Sequence, residues 1–164
     1  MINKNFMALA MEEARKAASE GDIPVGAVVV YKNEVIGRGR NLRRIDHDPT
    51  AHAEIVAIRQ AAKARGSWNL SGCEIYVTLE PCPMCAGAIV QSRIAKVVYG
   101  CTDPKAGASG TLYDITRDTR LNHRCEVIKG IEEDRCRKML RDFFSECRKK
   151  RRKERDPSPG APKN

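Results

Sequence analysis

The chain has 164 residues, 41% of them apolar and 31% charged, a length that suits one domain with its own core. Its seven cysteines are odd in number and sit on no short secreted scaffold, which argues against a disulfide framework. The apolar patch at 6–11 gives way at once to Glu12-Glu13, so it is no signal peptide, and no run approaches membrane-spanning length. A reducing cytoplasm is the expected compartment, with no membrane partner. The net charge of +9 predicts a polyanionic partner. Much of that charge is C-terminal: residues 141–164 carry nine Lys and Arg against four acids, which leaves +4 for the first 140 residues.

In chain order, residues 3–20 place Phe6, Leu9 or Ala10, Ala14 and Ala17 at helical spacing, with Gly21 as the stop. Pro24 introduces an apolar strand over 25–31, and Lys32-Asn33-Glu34 turns it into a second strand over 35–39. Gly26, inside a strand, marks either a bulge or a close approach of backbone to a ligand. Residues 41–50 form a polar loop in which Asn41, a turn residue, also offers a donor–acceptor amide to a base edge. Thr50 is placed to cap a helix that runs to Arg65 and ends at Gly66. A third strand over 74–78 leads through a cysteine-containing turn into a helix to about Ser92, and 97–100 make a fourth strand.

Residues 103–110 read as a loop just past that strand's carboxyl end, the edge where α/β sheets hold ligands. A fifth strand over 125–129 and a helix over 131–148 complete an α/β pattern. Cys136, Met139 or Leu140, Phe143 and Cys147 mark one face of the last helix. Phe144 falls off that stripe and is free to stack on a base, and the basic run 148–155 suits phosphate contact. The organisation expected is one domain over 1–150 and a basic, Pro-containing, disordered tail over 151–164. Cys73, Cys101, Cys125, Cys136 and Cys147 read as small buried hydrophobes.

The chemistry centres on Thr78-Leu79-Glu80-Pro81-Cys82-Pro83-Met84-Cys85. Cysteines three apart on a first helical turn are surface neighbours, and Pro83 is tolerated there because its N–H is not needed. The helix N-terminus favours thiolate over thiol. Cys-x-x-Cys alone also suits a redox pair or half a zinc finger. Thirty residues upstream, His52-Ala53-Glu54 opens another helix-like run. Residues two apart point to opposite flanks, so His52 and Glu54 serve one site only if the end of their helix faces it. One His and two Cys make a three-ligand zinc set with the fourth position open. The carboxylate left over is a proton carrier. His47 lies outside the helix end and is not counted as a ligand.

His-x-Glu followed by Pro-Cys-x-x-Cys is the signature of the zinc nucleobase deaminases, the tRNA adenosine deaminases among them. From about Phe6 to Arg148 the chain resembles the bacterial tRNA adenosine deaminases. The likeness is carried by Pro24-Val25-Gly26-Ala27, Asn41, Asp48-Pro49-Thr50-Ala51-His52-Ala53-Glu54, Tyr76-Val77-Thr78-Leu79-Glu80-Pro81-Cys82, Met84-Cys85-Ala86-Gly87, Asn122-His123-Arg124 and Asp142-Phe143-Phe144. The resemblance implies a three-layer α/β/α sandwich around a five-stranded mixed sheet, and one Zn2+ per subunit on His52, Cys82 and Cys85. It implies hydrolytic conversion of adenosine to inosine by attack of water on C6, with Glu54 moving protons and the N–H groups near Ala53 and Cys85 stabilising charge. Substrate contacts are expected at Val25, Asn41, Ala53 and Asp103, and at Asn122, His123, Phe144 and Arg148. The implied substrate is the wobble adenosine of a tRNA anticodon stem-loop, bound by a homodimer.

Three other readings compete. A guanine deaminase uses the same metal motif and tolerates Pro-Cys-Pro-Met-Cys, but Asn122-His123-Arg124, Asp142-Phe143-Phe144 and the basic C-terminus weigh against it. A riboflavin-pathway or cytidylate deaminase shares 76–82, and the riboflavin type normally has a longer insertion between its cysteines. A non-catalytic zinc-stabilised RNA-binding module would need no Glu54.

Overall fold

The computed structural model describes residues 2–156; residues 157–164, part of the tail expected to be disordered, lie outside the described residues. Helix α1 (Lys4–Ser19) starts at Asn3, whose Oδ1 accepts the Asn5 N–H at 3.0 Å. Strands β1 (Gly26–Tyr31) and β2 (Glu34–Arg40) follow as a hairpin, then α2 (Ala53–Arg65), β3 (Glu74–Leu79), α3 (Pro83–Gln91), β4 (Lys96–Cys101), β5 (Glu126–Lys129) and α4 (Glu133–Arg155). The five strands form one mixed sheet in the order β2-β1-β3-β4-β5. Pairing is antiparallel on both sides of β1 and parallel from β3 through β5.

Alternation along the strands sorts the side chains into two cores. Ala27, Val29, Ile75, Val77, Val97 and Tyr99 pack with Ala53, Ala57 and Ala61 of α2 and Ile89 of α3. Val28, Val30, Tyr76 and Val98 point the other way, onto Phe6, Met7, Ala10 and Met11 of α1 and Cys136 of α4. Each large apolar side chain buried in this way contributes about 1.5–3 kcal/mol. The molecule is therefore the expected three-layer sandwich. Among the described residues no helix is long and apolar enough to cross a membrane.

Three local expectations are corrected. Gly26 is not a bulge. It lets α1 lie directly on β1, because a Cβ there would overlap the Ala10 carbonyl oxygen and crowd the Ala14 N–H, and the irregularity in the hairpin falls between Val29 and Val30 instead. Helix α4 does not stop at Arg148 but continues to Arg155, so the first residues of the expected tail are helical. No Gly or Pro interrupts 149–155, Lys, Arg and Glu are good helix formers, and basic residues in the last turn suit the dipole. Cys147, on that helix, is half-exposed; Cys73, Cys101, Cys125 and Cys136 are buried.

Candidate active site

The starts of α2 and α3 converge. His52 and Cys82 are the N-cap residues of these helices, and neither side chain caps its own helix. They turn toward one another instead. The sulfurs of Cys82 and Cys85 each lie 3.5 Å from His52 Nδ1, and the three donor atoms are all within 4.8 Å of one another. Thr50 is not the cap, because Asp48 Oδ1 takes both its N–H (2.8 Å) and its hydroxyl (2.7 Å) in a local Asx turn. The first turn of α2 is held from a distance: buried Asn41 accepts the Ala53 N–H on Oδ1 at 3.0 Å and donates from Nδ2 to the Ile23 carbonyl at 3.2 Å.

The donor set fits zinc. With Zn–S near 2.3 Å and Zn–N near 2.0–2.1 Å, tetrahedral geometry places a thiolate sulfur and an imidazole nitrogen about 3.5 Å apart, matching both spacings to His52. Hydrogen bonding from Cys85 outweighs burial and holds the Cys82 thiol down to about 4. Cys85 is pushed far up, first by its bond to Cys82 and then by burial. The bond to Cys82 also raises His52. Glu54, 4% exposed on the second residue of α2, is pushed up to about 7, chiefly by burial.

The remaining expected residues divide. The Ala53 N–H is engaged by Asn41, so it is not free for charge developing on a substrate. Asn41 spends its carbonyl oxygen and one N–H on backbone groups rather than holding them for a base edge. Val25 is buried and its carbonyl accepts the Asn41 N–H. The Asp103 carboxylate caps its own turn, accepting the N–H groups of Lys105 and Ala106. Asn122 and His123 precede β5 at the starting edge of the parallel strands, with the His123 ring 2.7 Å from the Ile94 carbonyl, whereas the cluster follows the end of β3. Phe144 (42% exposed) and Arg148 lie on α4, on the opposite layer from α2. Phe144 meets Phe143 edge to face at 5.7 Å. His47 is exposed, outside the cluster.

One residue had no separate role in the sequence reading. Glu80 is buried, and its carboxylate accepts the N–H groups of Asp103 at 3.0 Å and Thr111 at 3.1 Å. Its partners are backbone groups that no motif names, so only its place two residues before Cys82 hinted at it.

The MafB19-like deaminase family matches residues 1–148. A tRNA-specific adenosine deaminase of Bacillus subtilis (strain 168) is 50% identical over 147 residues, which cover 90% of this chain and 91% of that protein. The chain belongs to the tRNA-specific adenosine deaminase family. Among solved structures, one from work on A-to-I editing by tRNA:A34 deaminases at the wobble position of transfer RNA superposes with a TM-score of 0.81 at 42% identity. It covers 84% of this chain and 100% of that one. The guanine deaminase of Bacillus subtilis superposes with a TM-score of 0.62 at 38% identity, over 68% of this chain and 71% of its own. The cluster at His52 is consistent with the zinc site typical of the deaminase family.

Proposed function

We infer that this protein hydrolyses adenosine to inosine at the wobble position of a tRNA anticodon. The observation that carries the reading is the buried carboxyl of Glu54, two residues after His52 at the same helix start as the three-donor His52/Cys82/Cys85 set. His52, Cys82 and Cys85 would hold one Zn2+ per subunit, which when bound would supply Lewis acidity that lowers the pKa of water. Glu54 does the proton work. As carboxylate it accepts a proton from the attacking water and passes it to the purine N1; it then takes the proton of the new C6 hydroxyl and gives it to the departing amine, which leaves as ammonia as C6 becomes the carbonyl. Burial favours the protonated form of the Glu54 carboxyl, which lets one group act as base and then as acid. Asn41 fixes the turn of α2 on which Glu54 rides.

A base inside a duplex is out of reach of such a site, so the physically accessible substrate is a nucleotide extruded from a loop. The +9 charge and the basic end of α4 suit the phosphates of a tRNA anticodon stem-loop. A homodimer in the cytoplasm completes the reading. Asn122 and His123 sit at the sheet edge away from their own cluster, where a second copy's RNA would use them.

Zinc-loaded protein, offered an anticodon stem-loop with a wobble adenosine together with free guanine, is the deciding experiment. Nucleoside chromatography is expected to find inosine. Xanthine alone would make the chain a free-base guanine deaminase, the reading favoured by its 38% identity to one.

A further inference from the structure

We propose that Glu80 is a positioning residue for the deamination, holding the loop 103–111 as a fixed wall beside the metal-donor turn. The proposal rests on the adenosine-deaminase reading above. Strands β3 and β4 run parallel with Leu79 opposite Cys101, and the Glu80 N–H donates to the Cys101 carbonyl at 2.9 Å. The segment that delivers Cys82 and the loop after β4 therefore leave the sheet side by side. They do so at the carboxyl edge of the parallel strands, where α/β proteins place their ligands.

Glu80 stands between the two segments. It is 2% exposed, yet among the described residues no cationic side chain pairs with it. Its charge is met by donors from the loop, the Asp103 N–H on Oε2 and the Thr111 N–H on Oε1, with the Tyr99 hydroxyl 3.4 Å from both Oε1 and the Ser109 carbonyl. The two N–H groups stand at the two ends of the loop. Between them Ala106-Gly107-Ala108-Ser109-Gly110 offers almost no side chain to bury, so the carboxylate serves as the core of the loop. Gly107 rests directly on it, since a Cβ there would overlap Oε2. The Ala108 N–H then donates to the Pro81 carbonyl at 2.8 Å, one residue before Cys82.

Charge-assisted bonds to backbone N–H groups are among the stronger restraints available to a loop. They preorganise a binding wall at no cost when substrate arrives. A neutral isostere cannot substitute: Gln keeps one acceptor and aims an NH2 at a donor. Substrate binding, rather than the metal or the proton transfers, is what Glu80→Gln disturbs.

The test uses the full zinc-loaded chain and three readouts: zinc stoichiometry, kcat and KM on a wobble-adenosine stem-loop, and amide hydrogen exchange. In the unmodified chain the Asp103 and Thr111 amides are expected to be protected. In Glu80→Gln both exchange faster, zinc stays at the unmodified ratio, and KM rises roughly tenfold, the effect of one charge-assisted bond lost. Over the same comparison kcat stays within about threefold, the signature of lost binding rather than lost chemistry. Gly107→Ala leaves the charge in place but displaces the carboxylate, and it carries the test if Glu80→Gln does not fold. Unprotected amides in the unmodified chain would overturn the proposal, as would an unchanged KM in a folded variant, or zinc loss with falling kcat at constant KM. If the unmodified chain yields xanthine and no inosine, the adenosine reading falls by itself. The exchange pattern and the KM for guanine then decide the role of Glu80.

Discussion

Two side chains near the cluster do different work. In the proposed reaction Glu54 moves the protons, while Asn41 holds the helix start that carries it. Glu54→Gln preserves shape and removes the titrating group, so zinc is expected to remain while turnover falls by about 10²–10⁴, the usual contribution of a positioned acid–base group. Metal analysis beside inosine chromatography checks both halves; turnover near the unmodified rate would remove Glu54 from the mechanism. Asn41→Ala deprives the Ala53 N–H of its acceptor at a buried helix start, and costs about 1–2 kcal/mol in denaturant unfolding. Asn41→Asp keeps the Oδ1 acceptor but sets a second oxygen against the Ile23 carbonyl that Nδ2 now serves, so it is expected to destabilise as well. The metal donors were legible in the sequence because each is tied to a helix start by local spacing. Glu80 and the second role of Asn41 were not, because their partners are backbone N–H groups brought near by the fold.

At the level of elements, the site depends on how close α2 lies to the sheet. Gly37 and Gly39 of β2 face the small residues of α2: a Cβ on Gly39 would overlap the Ala53 carbonyl oxygen, and one on Gly37 the Ala57 carbonyl oxygen. Either substitution to Ala overpacks the contact and is expected to cost about 1–3 kcal/mol. Their effects on the metal should differ. Gly39 supports the turn that carries His52 and Glu54, whereas Gly37 supports the turns beyond. Gly39→Ala is therefore expected to lower zinc affinity on the order of tenfold in a chelator competition, as lost support of a ligand does. Gly37→Ala should leave it near the unmodified value, and equal losses would mean that the whole helix moves as one body. The elements themselves were readable from periodicity and turn residues, but their exact ends and neighbours were not. Thr50 looked like a cap because nothing local shows that Asp48 captures it first. Gly26 suggested a bulge or a ligand approach because the backbone that needs its missing Cβ belongs to α1, more than ten residues away in sequence.

Over the whole molecule the charge is uneven, and α4 carries the excess past the packed body. Arg148, Arg151, Arg152 and Arg155 recur at i, i+3, i+4 and i+7, line one concave surface with Asp156, and are all exposed. Like charges four apart disfavour a helix by about 0.2–0.5 kcal/mol per pair, so this face gains when an anion screens it. The last half-buried residue of α4 is Cys147, one position before the stripe begins, so replacing all four arginines with Gln is expected to leave thermal unfolding nearly unchanged. RNA binding should respond differently. Each phosphate contact adds about 0.7–0.9 to the slope of log affinity against log salt. If all four arginines meet phosphates, the slope for an anticodon stem-loop falls by about 3 and affinity drops most at low salt. Titrations of both proteins from low to high salt measure that slope directly. An unchanged slope would mean that the arginines only solvate the helix end, and that RNA is held by the remainder of the domain.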